Sequence, residues 1–227
     1  MATRPLHFIW ILDASGSMGI DGKIQALNNA IRETIPHMRQ VADENPNAQV
    51  LVRALRFANG ASWHLATPTP VQDFEWTDLD TQGVTDMGQA LAMVGEELRI
   101  PPMTDRALPP VLVLISDGQP TDDMPNGLKT LMEQPWGKKA VRVAIAIGED
   151  ADLDVLQQFI GNADLKPLQA NSPEALVRYI KFVSTAVLQA ASAPPSQTRE
   201  SGELTTNVPL PMLMVDENDL VSANDVW

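Results

Sequence analysis

The stretch that decides the fold is PLHFIWILDASGSMGIDGKIQALNNAI, residues 5–31. It opens with an apolar run from Leu6 to Leu12, rich in isoleucine and aromatic residues, which favours a buried strand. From Ile24 to Val41 apolar residues recur at steps of three and four, the spacing of one helix face. The stretch therefore predicts a strand, a short polar loop and a long helix.

The same alternation continues along the chain. Further β-rich runs are VLVRALRFA (50–58), ASWHLA (61–66), VLVLIS (111–116) and VRVAIAI (141–147). Helical spacing returns at 87–98 and 176–187, and Ser172-Pro173 is a typical start for the last helix. Nearly continuous apolar strands are typical of parallel sheets that helices cover on both faces. We expect a doubly wound α/β fold with a Rossmann-like, mostly parallel sheet, and one antiparallel edge hairpin at Asn59-Gly60.

Composition narrows the class of protein. The 227 residues are 44% hydrophobic and include no cysteine, which excludes disulfides, thiolate metal sites and cysteine nucleophiles. Lys and Arg number 16 against 29 Asp and Glu, a net charge of -13, so we expect no binding to nucleic acid. No run approaches the length of a membrane span, and the run 6–12 ends in an acid instead of a cleavage site. We expect a cytoplasmic protein without membrane contact.

The composition changes near the end of the chain. Residues 191–227 are rich in Pro, Ser and Thr and hold one basic and six acidic residues, a net charge of -5. We therefore expect a folded domain over 1–190 and an acidic tail over 191–227. The tail offers five candidate phosphorylation sites, at Ser196, Thr198, Ser201, Thr205 and Thr206. A phosphate there would add charge that could switch docking.

Oxygen-bearing side chains follow the predicted strands. Asp13 ends the first strand, Asp117 follows VLVLIS, and Thr85 stands directly before a helical stretch. Ligands of open α/β sheets bind beyond the carboxyl ends of the strands, so we expect Asp13, Ser15, Ser17, Thr85 and Asp117 to meet there. Two carboxylates and three hydroxyls are hard donors that suit Mg²⁺, with Mn²⁺ or Ca²⁺ as alternatives, better than Zn²⁺.

Simpler roles exist for several of these residues. Asp13, Ser15 and Ser17 could form a helix N-cap loop, since Asp and Ser favour such positions. We expect Gly16 and Gly19 to give this loop backbone freedom. Two further expectations concern acids near the site. We expect Asp86 to be the N-cap of the following helix, and Asp122 and Asp123 to be solvated loop acids.

The three motifs together resemble a known family. DASGSM (13–18) matches the D-x-S-x-S motif of von Willebrand factor A (vWA) domains, GVTDMGQAL supplies the threonine and LISDGQPTDD the second aspartate. The resemblance implies a vWA fold with a metal-ion-dependent adhesion site (MIDAS) made of Asp13, Ser15, Ser17, Thr85 and Asp117. It also implies a bound ion, Mg²⁺ above all, that takes an Asp or Glu from a protein partner.

Within the family the chain looks most like the bacterial tellurium-resistance TerY type. The resemblance rests on residues 5–31, the threonine loop and the LISDGQPTDD segment; Val84 departs from it, where many relatives have Gly. It implies a cytoplasmic stress-response adaptor that works with a Ser/Thr kinase and a metal-dependent phosphatase. We expect no enzyme, because phosphate-loop and dinucleotide motifs are absent. The alternatives are a protein switched by phosphorylation of its tail and a weak Mg²⁺-dependent phosphatase.

Overall fold

A six-stranded sheet with helices on both faces forms the core of the protein. The computed structural model describes residues 3–117 and 119–192. The strands are β1 Arg4–Asp13, β2 Ala48–Ala58, β3 Gly60–Pro70, β4 Val111–Ser116, β5 Val141–Ile147 and β6 Leu168–Ala170. The helices are α1 Lys23–Asp43, α2 Met87–Glu97, α3 Met124–Glu133, α4 Leu153–Ile160, α5 Pro173–Phe182 and α6 Leu188–Ser192.

The strand order is β3-β2-β1-β4-β5-β6, and every neighbouring pair is parallel except β2 with β3. This confirms the doubly wound α/β fold and the antiparallel edge hairpin. Gly60, in the turn between β2 and β3, has a φ of 76°, which glycine adopts without steric cost.

The strands bury apolar side chains on both faces of the sheet. In β1, side chains alternate between two apolar clusters: Leu6, Phe8, Trp10 and Leu12 join the first, and Ile9 and Ile11 join the second. The first cluster also contains side chains of α1, α5 and α6, and the second contains side chains of α2, α3 and α4. Burial on both faces explains why the strand runs are almost wholly apolar.

The last helical region differs from the single α-helix that the sequence predicts from Pro173 through the helical spacing at 176–187. A π-helical segment, Val183–Val187, separates α5 from α6. Ser172 does act as the N-cap of α5, because its Oγ accepts a hydrogen bond from the backbone N of Ala175. The N-terminus of α5 follows β6 at the carboxyl edge of the sheet. At the end of α6, the Oγ of Ser192 accepts a hydrogen bond from the side chain of Asn45, which lies just before β2 at the opposite edge of the sheet.

Most of the acidic tail lies outside the described residues. The five candidate phosphorylation sites, from Ser196 to Thr206, are among the residues not described. Within the described part of the chain, no helix combines the length and apolar character needed to cross a lipid bilayer.

Two glycines let α2 and α3 pack backbone to backbone. A Cβ on Gly127 would stand 2.0 Å from the carbonyl oxygen of Gly88, and a Cβ on Gly88 would stand 2.5 Å from the carbonyl oxygen of Asp123. Because neither backbone can move without displacing its helix, a side chain at either position requires the helices to separate.

We therefore expect Gly127→Ala to lower the free energy of unfolding by about 3 kcal/mol. Helix propensity alone predicts the opposite, since alanine stabilises a helix by roughly 1 kcal/mol relative to glycine. Urea denaturation measures the change, and Lys129→Ala, at an exposed position of the same helix, is the control. A Gly127→Ala protein as stable as the wild type would show that the close approach of α2 and α3 does not contribute to the stability of the fold.

Candidate metal site

The site lies where the sheet changes winding direction. β1 and β4 are adjacent and parallel, with Leu12 opposite Ile115 in register. From β1 the chain continues to α1 on one face, and from β4 it continues to α3 on the other. The two loops part at this point and leave a crevice beyond the carboxyl ends of the strands, the usual ligand position in such folds.

Asp13 is fully buried at the base of this crevice. Its Oδ1 accepts a hydrogen bond from the backbone N of Ser15 at 2.8 Å, and its Oδ2 accepts one from Ser116 Oγ at 2.5 Å. Burial raises the pKa of its carboxyl from 3.8 to about 6; the hydrogen bonds from Ser116 and Ser15 oppose the rise, and the charge of Asp117 adds to it. Asp13 thus links β4 to the loop that follows β1, residues 14–22, which we call the first loop. Its charge also interacts with that of Asp117.

Ser15 and Ser17 place two hydroxyls side by side. Their Oγ atoms are 3.0 Å apart; Ser15 is buried and Ser17 is half-buried. Ser15 directly precedes a 3₁₀-helical segment, Gly16–Gly22, yet its hydroxyl caps no backbone N–H there. The N-cap alternative for this hydroxyl is therefore wrong, and both oxygens remain available to a shared ligand.

The first loop is fastened to the loop that carries Thr85. The backbone N of Gly16 donates to the carbonyl oxygen of Gly83 at 3.0 Å, and the N of Gln82 donates to the carbonyl oxygen of Ala14 at 2.8 Å. These two bonds cross between segments that are about 70 residues apart in sequence. They hold Thr85 close to the two serines.

Close packing, and not backbone freedom, accounts for the two glycines of the first loop. Neither Gly16 nor Gly19 has a positive φ. A Cβ on Gly16 would lie 3.2 Å from the carbonyl oxygen of Gly83, and a Cβ on Gly19 would lie 2.9 Å from Thr81 Oγ1. The expectation of backbone freedom was wrong; the lack of a side chain at these positions instead leaves room for the close approach of Gly83 and Thr81.

Thr85 is buried and joined to the loop after β4. Its backbone N donates to Thr121 Oγ1 at 3.0 Å, and its carbonyl oxygen accepts from the backbone N of Thr121 at 2.9 Å. The sequence did not identify Thr121, although it stands only four residues after Asp117. Through Thr121, the loop with Thr85 is connected to the loop with Asp117.

Asp122 and Asp123 both accept helix-capping hydrogen bonds; Asp123 is exposed, as we expected, whereas Asp122 is half-buried. Asp122 accepts hydrogen bonds from the backbone N atoms of Gly88 and Gln89, both at 2.8 Å, at the start of α2. Asp123 is the N-cap of α3 and accepts from the N of Asn126 at 3.1 Å. Each carboxylate stabilises the positive end of a helix.

Asp86 occupies the N-cap position of α2, but its carboxylate makes no capping bond. Instead, Asp86 Oδ2 accepts a hydrogen bond from the backbone N of Gly60 at 2.6 Å. Asp86 is thus the N-cap residue by position, as we expected, but its side chain does not cap the helix. Asp86 ties the hairpin turn between β2 and β3 to the threonine loop, while Asp122 caps α2 from another loop.

Asp117 provides the observation that points to a cation. It is 4% exposed, and among the described residues no donor reaches its Oδ1. A buried carboxylate oxygen without a partner costs free energy that a bound cation would offset. The described residues contain no group of three or more His, Asp or Glu that could hold a metal ion. A cation here would therefore depend on the hydroxyls of Ser15, Ser17 and Thr85 as well.

The comparisons with known proteins concern the fold. No family model matches the chain, and no curated protein matches its sequence. Its structure is similar to VWA2, the ArnB paralog of Sulfolobus acidocaldarius, with 17% identity and a TM-score of 0.59 over 80% of this chain and 46% of that one. It is also similar to a von Willebrand factor type A protein from Catenulispora acidiphila, with 17% identity and a TM-score of 0.60 over 82% and 43%.

A third similar structure contains a metal. It is proximal thread matrix protein 1 of the mussel byssus, with a zinc-occupied MIDAS motif, at 18% identity and a TM-score of 0.62 over 83% of this chain and 49% of that one. This chain spans less than half the length of each of the three structures. The likeness establishes that residues of this chain adopt the vWA fold.

Proposed function

We propose that this chain is a metal-dependent protein-binding module. Ser15, Ser17 and Thr85 hold a divalent cation directly, and Asp13 and Asp117 hold it directly or through water. The observation that carries the proposal is the buried, unpartnered Oδ1 of Asp117 at the edge where two serine hydroxyls stand 3.0 Å apart. A vWA-fold protein with zinc in its MIDAS supports a divalent cation in such a crevice.

We favour Mg²⁺ as the ion, because every proposed ligand is an oxygen and Mg²⁺ readily retains water in its coordination shell. Three neutral hydroxyls donate little charge, so the ion keeps a strong attraction for an anionic ligand. The carboxylate of an Asp or Glu from a protein partner can fill the remaining position. Mn²⁺ and Ca²⁺ accept the same donor class, whereas Zn²⁺ favours nitrogen and sulfur ligands.

Binding without catalysis fits the residues around the crevice. The three histidines of the chain, at 7, 37 and 64, lie in β1, α1 and β3 and not on the loops of the site. Both oxygens of Asp13 accept hydrogen bonds within the protein, so it is poorly placed to act as a general base. A weak phosphatase activity would need a general base, and none of the three histidines stands on these loops to act as one.

The finer role that we propose is a cytoplasmic adaptor in a bacterial kinase–phosphatase stress response. Its support is the sequence resemblance to the TerY type alone. In the alternative role, a Ser/Thr kinase modifies the tail at residues such as Ser196 and Thr205, and the modified tail regulates docking. Those residues lie outside the described part of the chain.

Two displayed peptide libraries test the binding function. One fixes a central Glu and the other a central Gln, with random residues on both sides, and each is selected on the protein in Mg²⁺ and in chelator. We expect enrichment only from the Glu library and only in Mg²⁺, because the carboxylate completes the ion's coordination. The Ser15→Ala/Ser17→Ala protein should select nothing, while Ser62→Ala/Thr67→Ala, on β3, should behave as wild type. Equal enrichment from both libraries in Mg²⁺ would contradict the proposal.

A further inference from the structure

In the loops at the edge of the sheet around the candidate ion, every charged side chain is acidic. Acidic residues of the loops there are Asp21, Asp80, Asp86, Asp122, Asp123, Glu149, Asp150 and Asp152. The same loops, residues 14–22, 79–86, 117–123 and 148–152, contain no Lys or Arg. Lys23, at the start of α1, is buried, with its Nζ 3.9 Å from Asp150 Oδ1.

Some of these acidic side chains stabilise the fold through hydrogen bonds, and others do not. Asp122, Asp123 and Asp152 accept hydrogen bonds from backbone N–H groups at the starts of helices. In contrast, Asp21, Asp80 and Glu149 are exposed, and within the described residues none of them forms a salt bridge.

The charges of Asp13 and Asp117 would balance those of a divalent ion. The exposed acids of the surrounding loops would keep a net negative charge when the ion is bound. A partner that approaches the ion therefore meets a negative surface at close range.

Apolar side chains stand among these acids. Ile20 is 57% exposed, Val84 is 45% exposed and Leu153 is 38% exposed. They are three of the four large apolar side chains that the described residues expose. All three lie at the edge of the sheet around the candidate ion, which we call the metal edge. Ile20 is on the first loop, Val84 precedes Thr85, and Leu153 follows Asp152, whose backbone N donates to the carbonyl oxygen of Asp117.

We infer that this face binds a basic protein surface that presents one carboxylate among Lys or Arg side chains, with apolar side chains beside them. The inference rests on the proposed function. The unpartnered Oδ1 of Asp117 marks where the cation recruits the carboxylate. The exposed acids disfavour a partner whose carboxylate has acidic neighbours, because like charges brought together at an interface repel each other. Ile20, Val84 and Leu153 supply the contact area that a single carboxylate lacks.

The acidic segment 191–227 of the same chain does not fit this description. Its net charge of -5 adds to the charge already present at the metal edge. The last helix also ends at Ser192, beside Asn45 at the opposite edge of the sheet. A separate basic protein is therefore the favoured occupant.

The residues selected beside the fixed Glu in the peptide library test this inference. On the wild type in Mg²⁺ we expect enrichment of Lys and Arg and depletion of Asp and Glu at the flanking positions. A selected basic peptide should bind Asp21→Asn/Asp80→Asn/Glu149→Gln roughly tenfold more weakly than wild type, and high salt should reduce that difference. Glu33→Gln/Glu44→Gln/Glu133→Gln, which neutralises three exposed acids on or beside helices α1 and α3 and away from the metal edge, is the matched control.

The outcomes separate this inference from the function on which it rests. Mg²⁺-dependent selection of peptides with neutral or acidic flanks would overturn the basic-partner inference and leave metal-dependent binding intact. Selection of basic peptides that is equal in Mg²⁺ and in chelator would show simple charge attraction and would overturn both. Absence of any Mg²⁺-dependent selection would also overturn both.

Discussion

The Ser15→Ala/Ser17→Ala protein is expected to lose all stabilisation by Mg²⁺. An ion that binds only the folded state raises the free energy of unfolding by about 2.7 kcal/mol when its concentration is 100 times the dissociation constant. The two hydroxyls stand 3.0 Å apart and make up much of the donor set, so their removal leaves the ion with too few ligands. Thermal denaturation across a Mg²⁺ titration measures the effect.

The control for this prediction is Ser62→Ala/Thr67→Ala, which removes two hydroxyls from β3 and leaves the crevice intact. Its melting temperature should rise with Mg²⁺ as that of the wild type does. In chelator, the site variant should be nearly as stable as wild type, because Ser15 donates to Asp13 through its backbone N. A site variant that keeps the full Mg²⁺ response would place the ion elsewhere.

Asp13→Asn is expected to stabilise the metal-free protein at neutral pH. Burial raises the pKa of Asp13 from 3.8 to about 6, so the folded state holds its proton more tightly than the unfolded state. The stability that Asp13 contributes is therefore complete below about pH 3.8 and is lost as the pH rises through about 6. The difference between the two pKa values corresponds to about 3 kcal/mol.

Urea denaturation in chelator, at several pH values between 4 and 8, measures this effect. The advantage of Asp13→Asn over wild type should grow by about 3 kcal/mol across that range and level off near pH 7. Asp80→Asn controls for the loss of one negative charge at the same edge. In saturating Mg²⁺ the order should reverse, because the ion stabilises only the protein that keeps the Asp13 carboxylate. If the difference in stability between Asp13→Asn and wild type did not change with pH, the raised pKa of the Asp13 carboxyl would be contradicted.

The main features of the fold follow from local sequence patterns. A nearly continuous apolar run predicts β1, the steps of three and four predict α1, and Asn59-Gly60 predicts the edge hairpin. Several shorter elements were not predicted. β6, Leu168–Ala170, has only three residues. The helices α3, Met124–Glu133, and α4, Leu153–Ile160, are short, and the π-helical segment in the last helix continues the apolar pattern of its neighbours.

The candidate ligands are also visible in the sequence, because each one follows a strand or precedes a helix. The residues that hold the ligand loops together are not. Ser116 bonds to Asp13 across 103 residues, and Thr121 bonds to Thr85 across 36. Such contacts depend on the order of the strands in the sheet, which no local pattern specifies. Ser116 had one signal, since it is the only polar residue in VLVLIS.

Anomalous diffraction from crystals soaked in Mn²⁺ shows whether a cation binds at the crevice between β1 and β4. We expect one strong anomalous peak within coordination distance of Ser15 Oγ and Ser17 Oγ. We also expect Asp117 Oδ1 to contact the ion or one of its waters, and the peak to be absent from Ser15→Ala/Ser17→Ala crystals. A wild-type crystal with no peak at this position would show that these residues do not form a cation site.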